Sequence, residues 1–377
     1  MSSLVWVELD KTAPAHNVRE LKKGAAPGVQ FCAVVKSHAY GHGVREMVQL
    51  LGDEPDWLGV NSLDEGLELR GLGVRKPVVL LGHVPLARVG EAVAADLRMI
   101  VFNRESIAAL GAAATAARPA RVHIKIETGT GRQGVRLADL AAFADLIAAT
   151  PHVILDGMST HYANIEDTLS HDYAEKQVAD FNAALALLTD RGMKPPVIHT
   201  ACTAASILFP ETHYTMLRAG IGIYGLWPSR ETLQMAKVGR QFIPDLKPVL
   251  SWRTQVVQLK ELPEGSFVGY GCTFKAARPT RVGILPVGYA DGYDRALGNR
   301  AYVLVRGRRA PVLGRICMNL TITDMTDIPG VQLEDTVTLL GSDGGERISA
   351  ELMAEWAGTI NYEVVTRISP FLARRIV

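Results

Sequence analysis

Eight short apolar runs, each followed by a longer connecting stretch, recur between residues 31 and 218, and no other feature of the sequence narrows the possible folds as far. They occupy residues 31–35, 57–60, 78–81, 99–102, 122–126, 154–159, 197–200 and 215–218. Runs of this length, rich in β-branched residues, read as strands covered on both faces, as in a parallel sheet. Between them, residues 67–72, 106–116, 137–149 and 174–189 carry helical periodicity. Eight strands alternating with helices predict a (β/α)8 TIM barrel. The count leaves over Val5-Trp6-Val7-Glu8-Leu9, which reads as a strand pairing outside the barrel, followed by a helix near residues 15–23.

After about residue 240 the texture changes. Residues 250–259, 281–286, 302–305, 310–313, 320–324 and 336–340 are strand-like runs punctuated by glycine, proline and aspartate, and only 348–356 reads as a helix. The expected fold class is therefore α/β. A (β/α)8 barrel over residues 10–240 is followed by a mainly β C-terminal domain over 241–377, which the strand within 1–9 completes. A length of 377 residues agrees with two domains.

Charge and hydropathy exclude several classes of function. Forty basic against 39 acidic side chains leave a net charge of +1, so nothing favours a polyanion, and nucleic acid is not an expected partner. No run approaches the ~18 apolar residues of a membrane span, and Met1-Ser2-Ser3-Leu4 lacks the basic start and apolar core of a signal peptide, so a cytoplasmic location is expected. Cys32, Cys202, Cys272 and Cys317 are far apart and show no metal spacing; they read as reduced residues.

Barrel enzymes place their chemistry at the C-terminal ends of the strands, with phosphate bound after strands seven and eight. The first run ends in Lys36, and a lysine held there by apolar walls has its pKa depressed from ~10.4, so that a neutral amine can attack a carbonyl or take a proton. Taken alone, Lys36 could equally cap the strand and point into water. Strand five runs out into Glu127-Thr128-Gly129-Thr130-Gly131-Arg132, and strand six into Thr160-His161. Strand seven ends at Cys202-Thr203, and strand eight at Arg218-Ala219-Gly220-Ile221-Gly222. The Gly220/Gly222 turn lets backbone amides approach an anion, and Thr203 opens a helix whose N-terminus favours phosphate.

The segment Val34-Val35-Lys36-Ser37-His38-Ala39-Tyr40-Gly41-His42-Gly43 resembles the cofactor-lysine signature of alanine racemases, fold-type III enzymes that depend on pyridoxal 5'-phosphate. The resemblance extends over nearly the full length, with the motifs in the family's order. It implies that Lys36 holds the cofactor and serves as one catalytic base, while Tyr270, in Val268-Gly269-Tyr270-Gly271-Cys272, is the other, supplied by the partner subunit of a homodimer with composite active sites. Tyr40, Thr203, Gly220, Ile221 and Tyr362 match positions that hold the phosphate. His161 matches a residue beside the pyridine ring, Arg132 one that contacts the phenolic oxygen, and Arg218 the arginine at the pyridine nitrogen. Met318 matches a contact to the substrate carboxylate, and Tyr289 and Tyr362 match aromatic residues around the entrance. No metal is implied. The lysine matching Lys125 is often carbamylated in the family, giving an anion that positions the arginine.

The implied activity is interconversion of L- and D-alanine by two bases, supplying D-alanine for peptidoglycan. An always-charged arginine keeps the pyridine nitrogen unprotonated, which disfavours side reactions such as transamination. A tyrosine with its ordinary pKa of ~10 is a poor base at neutral pH, and a His161–Arg218 hydrogen bond is the expected means of lowering it. The alternatives are a serine or broader-specificity racemase, a fold-type III decarboxylase, and a cofactor carrier without turnover. Decarboxylases of this plan usually have an acidic residue at the pyridine nitrogen and a triple-glycine loop, whereas this chain has Arg218 and no triple glycine. It departs from the racemase pattern at Ser37-His38, where alanine with aspartate or asparagine is common. Cys202-Thr203 stands where asparagine-serine is usual, and Asn319 where aspartate is frequent.

Overall fold

The structure, a computed structural model, describes residues 4–239 and 242–377. The expected domain boundary at 240/241 and the first three residues of the 1–9 segment lie outside the described residues. The chain divides into two compact units, Ala13–Ser37 with Val48–Lys247, and Met1–Thr12 with His38–Met47 and Pro248–Val377.

The first unit is the barrel. Its strands are Gln30–Val34, Trp57–Val60, Val78–Leu80, Leu97–Val101, Ala120–Lys125, Val153–Ser159, Val197–His199 and Met216–Ala219. Numbered one to eight in chain order, they pair in parallel in the sequence seven-six-five-four-three-two-one-eight. The Thr215 amide donates to the Ile198 carbonyl at 3.1 Å and the Arg218 amide to Ala201 at 3.0 Å, which draws strands seven and eight together and all but closes the barrel. Strand two is buried along its whole length, as its unbroken apolar run requires. Each valine, leucine or isoleucine fully covered in this way contributes about 1.5–3 kcal/mol. The helix Leu63–Gly71 opens with a capping box in which Ser62 and Glu65 satisfy each other's backbone amides.

The second unit is mainly β. The strand Val5–Leu9 lies between Leu250–Gln255, antiparallel, and Ala373–Ile376, parallel, in a seven-stranded sheet that also holds Thr336–Asp343, Tyr302–Val305, Arg308–Pro311 and Glu346–Ile348. A three-stranded sheet is built from Gln258–Leu262, Thr280–Leu285 and Thr321–Asp324. Two expectations need correction here. The run 250–259 is two strands in two sheets, split where the Val256 amide bonds to Asp335 and the Val257 amide to Ile284. The helix expected over 348–356 is Ala350–Ala357, and a second one, Asn361–Thr366, follows it, too short to show a period in sequence.

Residues 38–47, inside the expected barrel range, group with the β unit, and the chain changes units between Ser37 and His38. The turn Lys36–Tyr40 makes that passage in a left-handed conformation, with φ of 54°, 53°, 52° and 51° at Ser37, His38, Ala39 and Tyr40. Such a conformation costs about 1–2 kcal/mol for each residue bearing a Cβ, so the surroundings must hold it. In the β unit Arg374 donates to the Gly41 carbonyl at 2.8 Å, and His42 Nδ1 lies 2.9 Å from the Tyr40 carbonyl. A Cβ on Gly41 would sit 1.9 Å from the Val365 carbonyl oxygen, so only glycine lets the two backbones meet.

Candidate active site

The barrel strands deliver the candidate residues at their C-terminal ends. Lys36 follows strand one, and its amine is held below the ordinary lysine value, first by burial and then by the charges of Arg132 and Arg218, against an opposing pull from Glu65. Glu65 also accepts the Ser37 amide at 2.6 Å and the Asn61 amide at 2.6 Å, so one carboxylate ties the chain leaving strand one to the chain leaving strand two.

Lys125 ends strand five and is buried. Burial, then Arg132 and Arg218, bring its amine down to about 8. The loop beyond it is folded around Glu127. Burial alone would raise that carboxylate, but amides of Gly129 at 2.6 Å, Gly131 at 3.1 Å and Arg132 at 3.2 Å point at it and leave it below its ordinary value. Gly129 and Gly131 take φ of 135° and 64°, which explains glycine at both. Arg132 is thus carried on a loop tied by its own anion.

On strand six, Thr160 bonds to the Ile126 carbonyl and Thr128, and the His161 carbonyl is held by Thr130 at 2.6 Å and Gln177 at 3.2 Å. The His161 imidazole is pushed down to about 3 by burial and by Arg218, Arg132, Lys125 and Lys36, in that order, and is neutral at physiological pH. Arg218, on strand eight, is buried and donates to the carbonyls of Thr160 at 2.8 Å and Thr200 at 2.9 Å. The expected His161–Arg218 hydrogen bond is not among the contacts of the described residues; Arg218 Nη2 donates to those two carbonyls instead. Thr203 opens the helix Thr203–Leu208, and its hydroxyl accepts from the amides of Gly220 at 3.2 Å and Gly222 at 3.4 Å. A Cβ on Gly222 would lie 2.6 Å from the Thr203 methyl. Ile221 begins the 3-10 turn Ile221–Tyr224. Cys202 is pushed up to about 12 by burial and by Glu166, so its thiol stays protonated.

The β unit carries the other candidates. Tyr40 and Tyr362 have ring centroids 6.2 Å apart. Tyr289 and Met318 are joined through backbone, the Tyr289 amide to Cys317 at 3.1 Å and the Ala290 amide to Met318 at 2.9 Å. Tyr270 stands in a turn flanked by Gly269 and Gly271, with φ of 73° and 74°, and is 70% exposed. Within the barrel unit, Lys36, Lys125, Arg132, His161 and Arg218 form one electrostatically coupled cluster. Tyr270 joins neither the tyrosine pair nor the Tyr289–Met318 backbone pair.

The sequence profile described as "Alanine racemase, N-terminal domain" matches residues 9–228, and that of the "Alanine racemase, C-terminal domain" matches residues 249–376. The chain belongs to the alanine racemase family. It is therefore an isomerase. Alanine racemase of Leptospira interrogans is 36% identical over 375 residues, 99% of this chain and 95% of that protein. That of Desulfosudis oleivorans is 40% identical over 375 residues, 97% and 94% of the two chains. The crystal structure of alanine racemase from Bacillus anthracis with bound L-Ala-P superposes with a TM-score of 0.93 at 32% identity, covering 100% of this chain and 96% of that one.

Two contributors to the candidate site escaped the sequence reading. Glu65 had a visible signal, the Ser62-Leu63-Asp64-Glu65 capping pattern, but its second task at Ser37 has none. Glu127 lay inside the motif already noted, and only the glycine conformations reveal that three amides converge on it.

Proposed function

We propose that this chain is a pyridoxal 5'-phosphate-dependent alanine racemase, acting as a homodimer and providing D-alanine for peptidoglycan. The observation that carries the reading is the Lys36 amine at the end of strand one, depressed by burial and by Arg132 and Arg218. A lysine in that state is nucleophilic, and the surrounding cations suit an anionic cofactor. The Thr203 hydroxyl with the Gly220 and Gly222 amides, where a side chain at 222 would not fit, suits a phosphate approached by backbone.

Lys36 would hold the cofactor, Tyr40, Thr203, Gly220, Ile221 and Tyr362 its phosphate, Arg132 its phenolic oxygen, and Arg218 its ring nitrogen, with His161 beside the ring. When bound, pyridoxal phosphate supplies an electron sink for the charge left at the α-carbon. Lys36 Nζ takes the α-proton from one face, and the Tyr270 hydroxyl gives a proton to the other; the reverse assignment serves the opposite enantiomer. Arg218 remains charged, so it offers the ring nitrogen a donor and no proton to transfer. Met318 would contact the substrate carboxylate, and Tyr289 and Tyr362 would narrow the entrance. Incubation with L-alanine, followed by chiral analysis with carbon dioxide monitored, tests the whole reading. A racemic product without gas is expected; released carbon dioxide would make it a decarboxylase, and unchanged L-alanine a carrier.

Alanine is expected to be the preferred substrate, with serine slower and lysine or arginine poor. Tyr270, Tyr289 and Tyr362 keep the bulk that penalises extra atoms. Asn319 removes a charge next to Met318, which lessens repulsion of an anionic carboxylate by ~1 kcal/mol at 4 Å where water screens it fully and by several times that where it does not. It opens no space. A higher kcat/KM for serine or a basic amino acid than for alanine would overturn this expectation.

Lys125 is expected to be carbamylated. Carbon dioxide adds only to a neutral amine, and an amine brought down to about 8 is partly neutral at physiological pH. The product is an anion among Arg132, Arg218 and Lys36, replacing repulsion with attraction. Density at an ordered but unmodified Lys125 would refute it.

A further inference from the structure

The barrel interior holds a chain of buried polar groups for which the proposed reaction has no use. His123, on strand five, and His199, ending strand seven, are both fully buried, and His123 Nδ1 lies 2.8 Å from His199 Nε2. Asp156, on strand six, presents Oδ2 to His123 Nε2 at 3.7 Å and is itself flanked by Arg98 at 3.7 Å and Arg121 at 3.5 Å. Space for the His123 ring is built into the backbone. The strand five–six register shifts between Val122 and His123, and a Cβ on Gly157 would lie 2.5 Å from the imidazole. Among the described residues, four buried atoms of this chain of polar groups have no hydrogen-bond partner, His123 Nε2, Arg98 Nε, His199 Nδ1 and Arg218 Nε, while Arg218 Nη2 binds the carbonyl of Thr200, the residue after His199.

These contacts dictate where the hydrogens lie. Burial, with Arg218 acting next on His199, keeps both imidazoles neutral, so each carries one N–H and one lone pair. A carboxylate only accepts. At 3.7 Å the Asp156 contact is long for a hydrogen bond, yet the charge still orients the facing imidazole edge, so His123 holds its hydrogen on Nε2. Its Nδ1 is then an acceptor, and His199 must donate from Nε2. That leaves a lone pair on His199 Nδ1. The opposite tautomer would set an N–H dipole against a buried cation.

We propose that Asp156 and His123 are positioning residues for Arg218: the carboxylate fixes the tautomers of two linked imidazoles so that His199 Nδ1 carries a lone pair instead of an N–H in the field of the guanidinium. The catalytic consequence rests on the reading that Arg218 faces the cofactor's ring nitrogen, whereas the tautomers do not. Imidazole 15N spectra of the cofactor-free, histidine-labelled protein test them directly. His123 and His199 are both expected with hydrogen on Nε2 at neutral pH. In Asp156→Asn the side-chain amide donates to His123 Nε2, so both rings should carry hydrogen on Nδ1. In the loaded enzyme the same variant should lose roughly tenfold in kcat with KM unchanged, the mark of an interaction made in the transition state. Hydrogen on His199 Nδ1 in the wild type, or unchanged tautomers in the variant, overturns the proposal. Reversed tautomers with full kcat overturn the link to Arg218. Expected tautomers in a protein that racemises nothing would overturn the functional reading and leave the relay standing.

Discussion

Lys36→Ala should retain less than about a thousandth of the wild-type activity, because in the proposed mechanism it removes both the covalent anchor of the cofactor and one of the two bases. Lys36→Arg should fail as badly. Its guanidinium keeps the positive charge but cannot deprotonate, which separates nucleophilicity from charge. The structure explains why this lysine can serve. Burial comes first, then Arg132 and Arg218, and Glu65 offsets them only in part. The wild-type protein should be yellow, and borohydride reduction followed by peptide mapping should label Lys36; a label on another residue would refute the assignment.

Lys36→Ala and Tyr270→Ala should each be inactive alone and should recover activity when their subunits are mixed. Tyr270, on the β unit, is 70% exposed, a large side chain left open to a partner. In the proposed homodimer, a second copy of the chain would bring Tyr270 to the Lys36 of its partner. With random exchange half of the dimers are mixed, and each mixed dimer has one site with both bases and one with neither, so roughly a quarter of the wild-type activity should return. Verified exchange with no recovered activity would exclude a site shared between chains.

Much of the barrel was legible because strands such as Trp57–Val60 and Val78–Leu80 are buried on both faces and so advertise themselves as unbroken apolar runs. Strand two falls on the residues expected for it, Trp57–Val60, and so does the helix Leu137–Ala149. The β unit was harder for a physical reason. The strands Leu250–Gln255 and Gln258–Leu262 follow one another without glycine or proline between them, so nothing in the sequence marks the change of sheet. At the site, residue types were readable but backbone partners were not. The carbonyls that hold Arg218 have no side-chain signature, which is why a histidine was expected in their place. The left-handed turn was invisible for a similar reason: Ser37, His38, Ala39 and Tyr40 include no glycine, and tertiary contacts override their preference.

The position of Val5–Leu9 between Leu250–Gln255 and Ala373–Ile376 sets the order of synthesis against the order of folding. At ~5–20 residues per second on the ribosome, the first strand emerges roughly ten to fifty seconds before either neighbour exists, and for that interval it is an apolar edge open to chaperones or to other nascent chains. The strands of the barrel, all made by Ala219, have their partners much sooner. The Arg374 that holds the Gly41 carbonyl is added only after every barrel strand has been made. A nascent chain therefore carries every barrel strand while the turn behind its lysine still waits for the clasp that Arg374 provides.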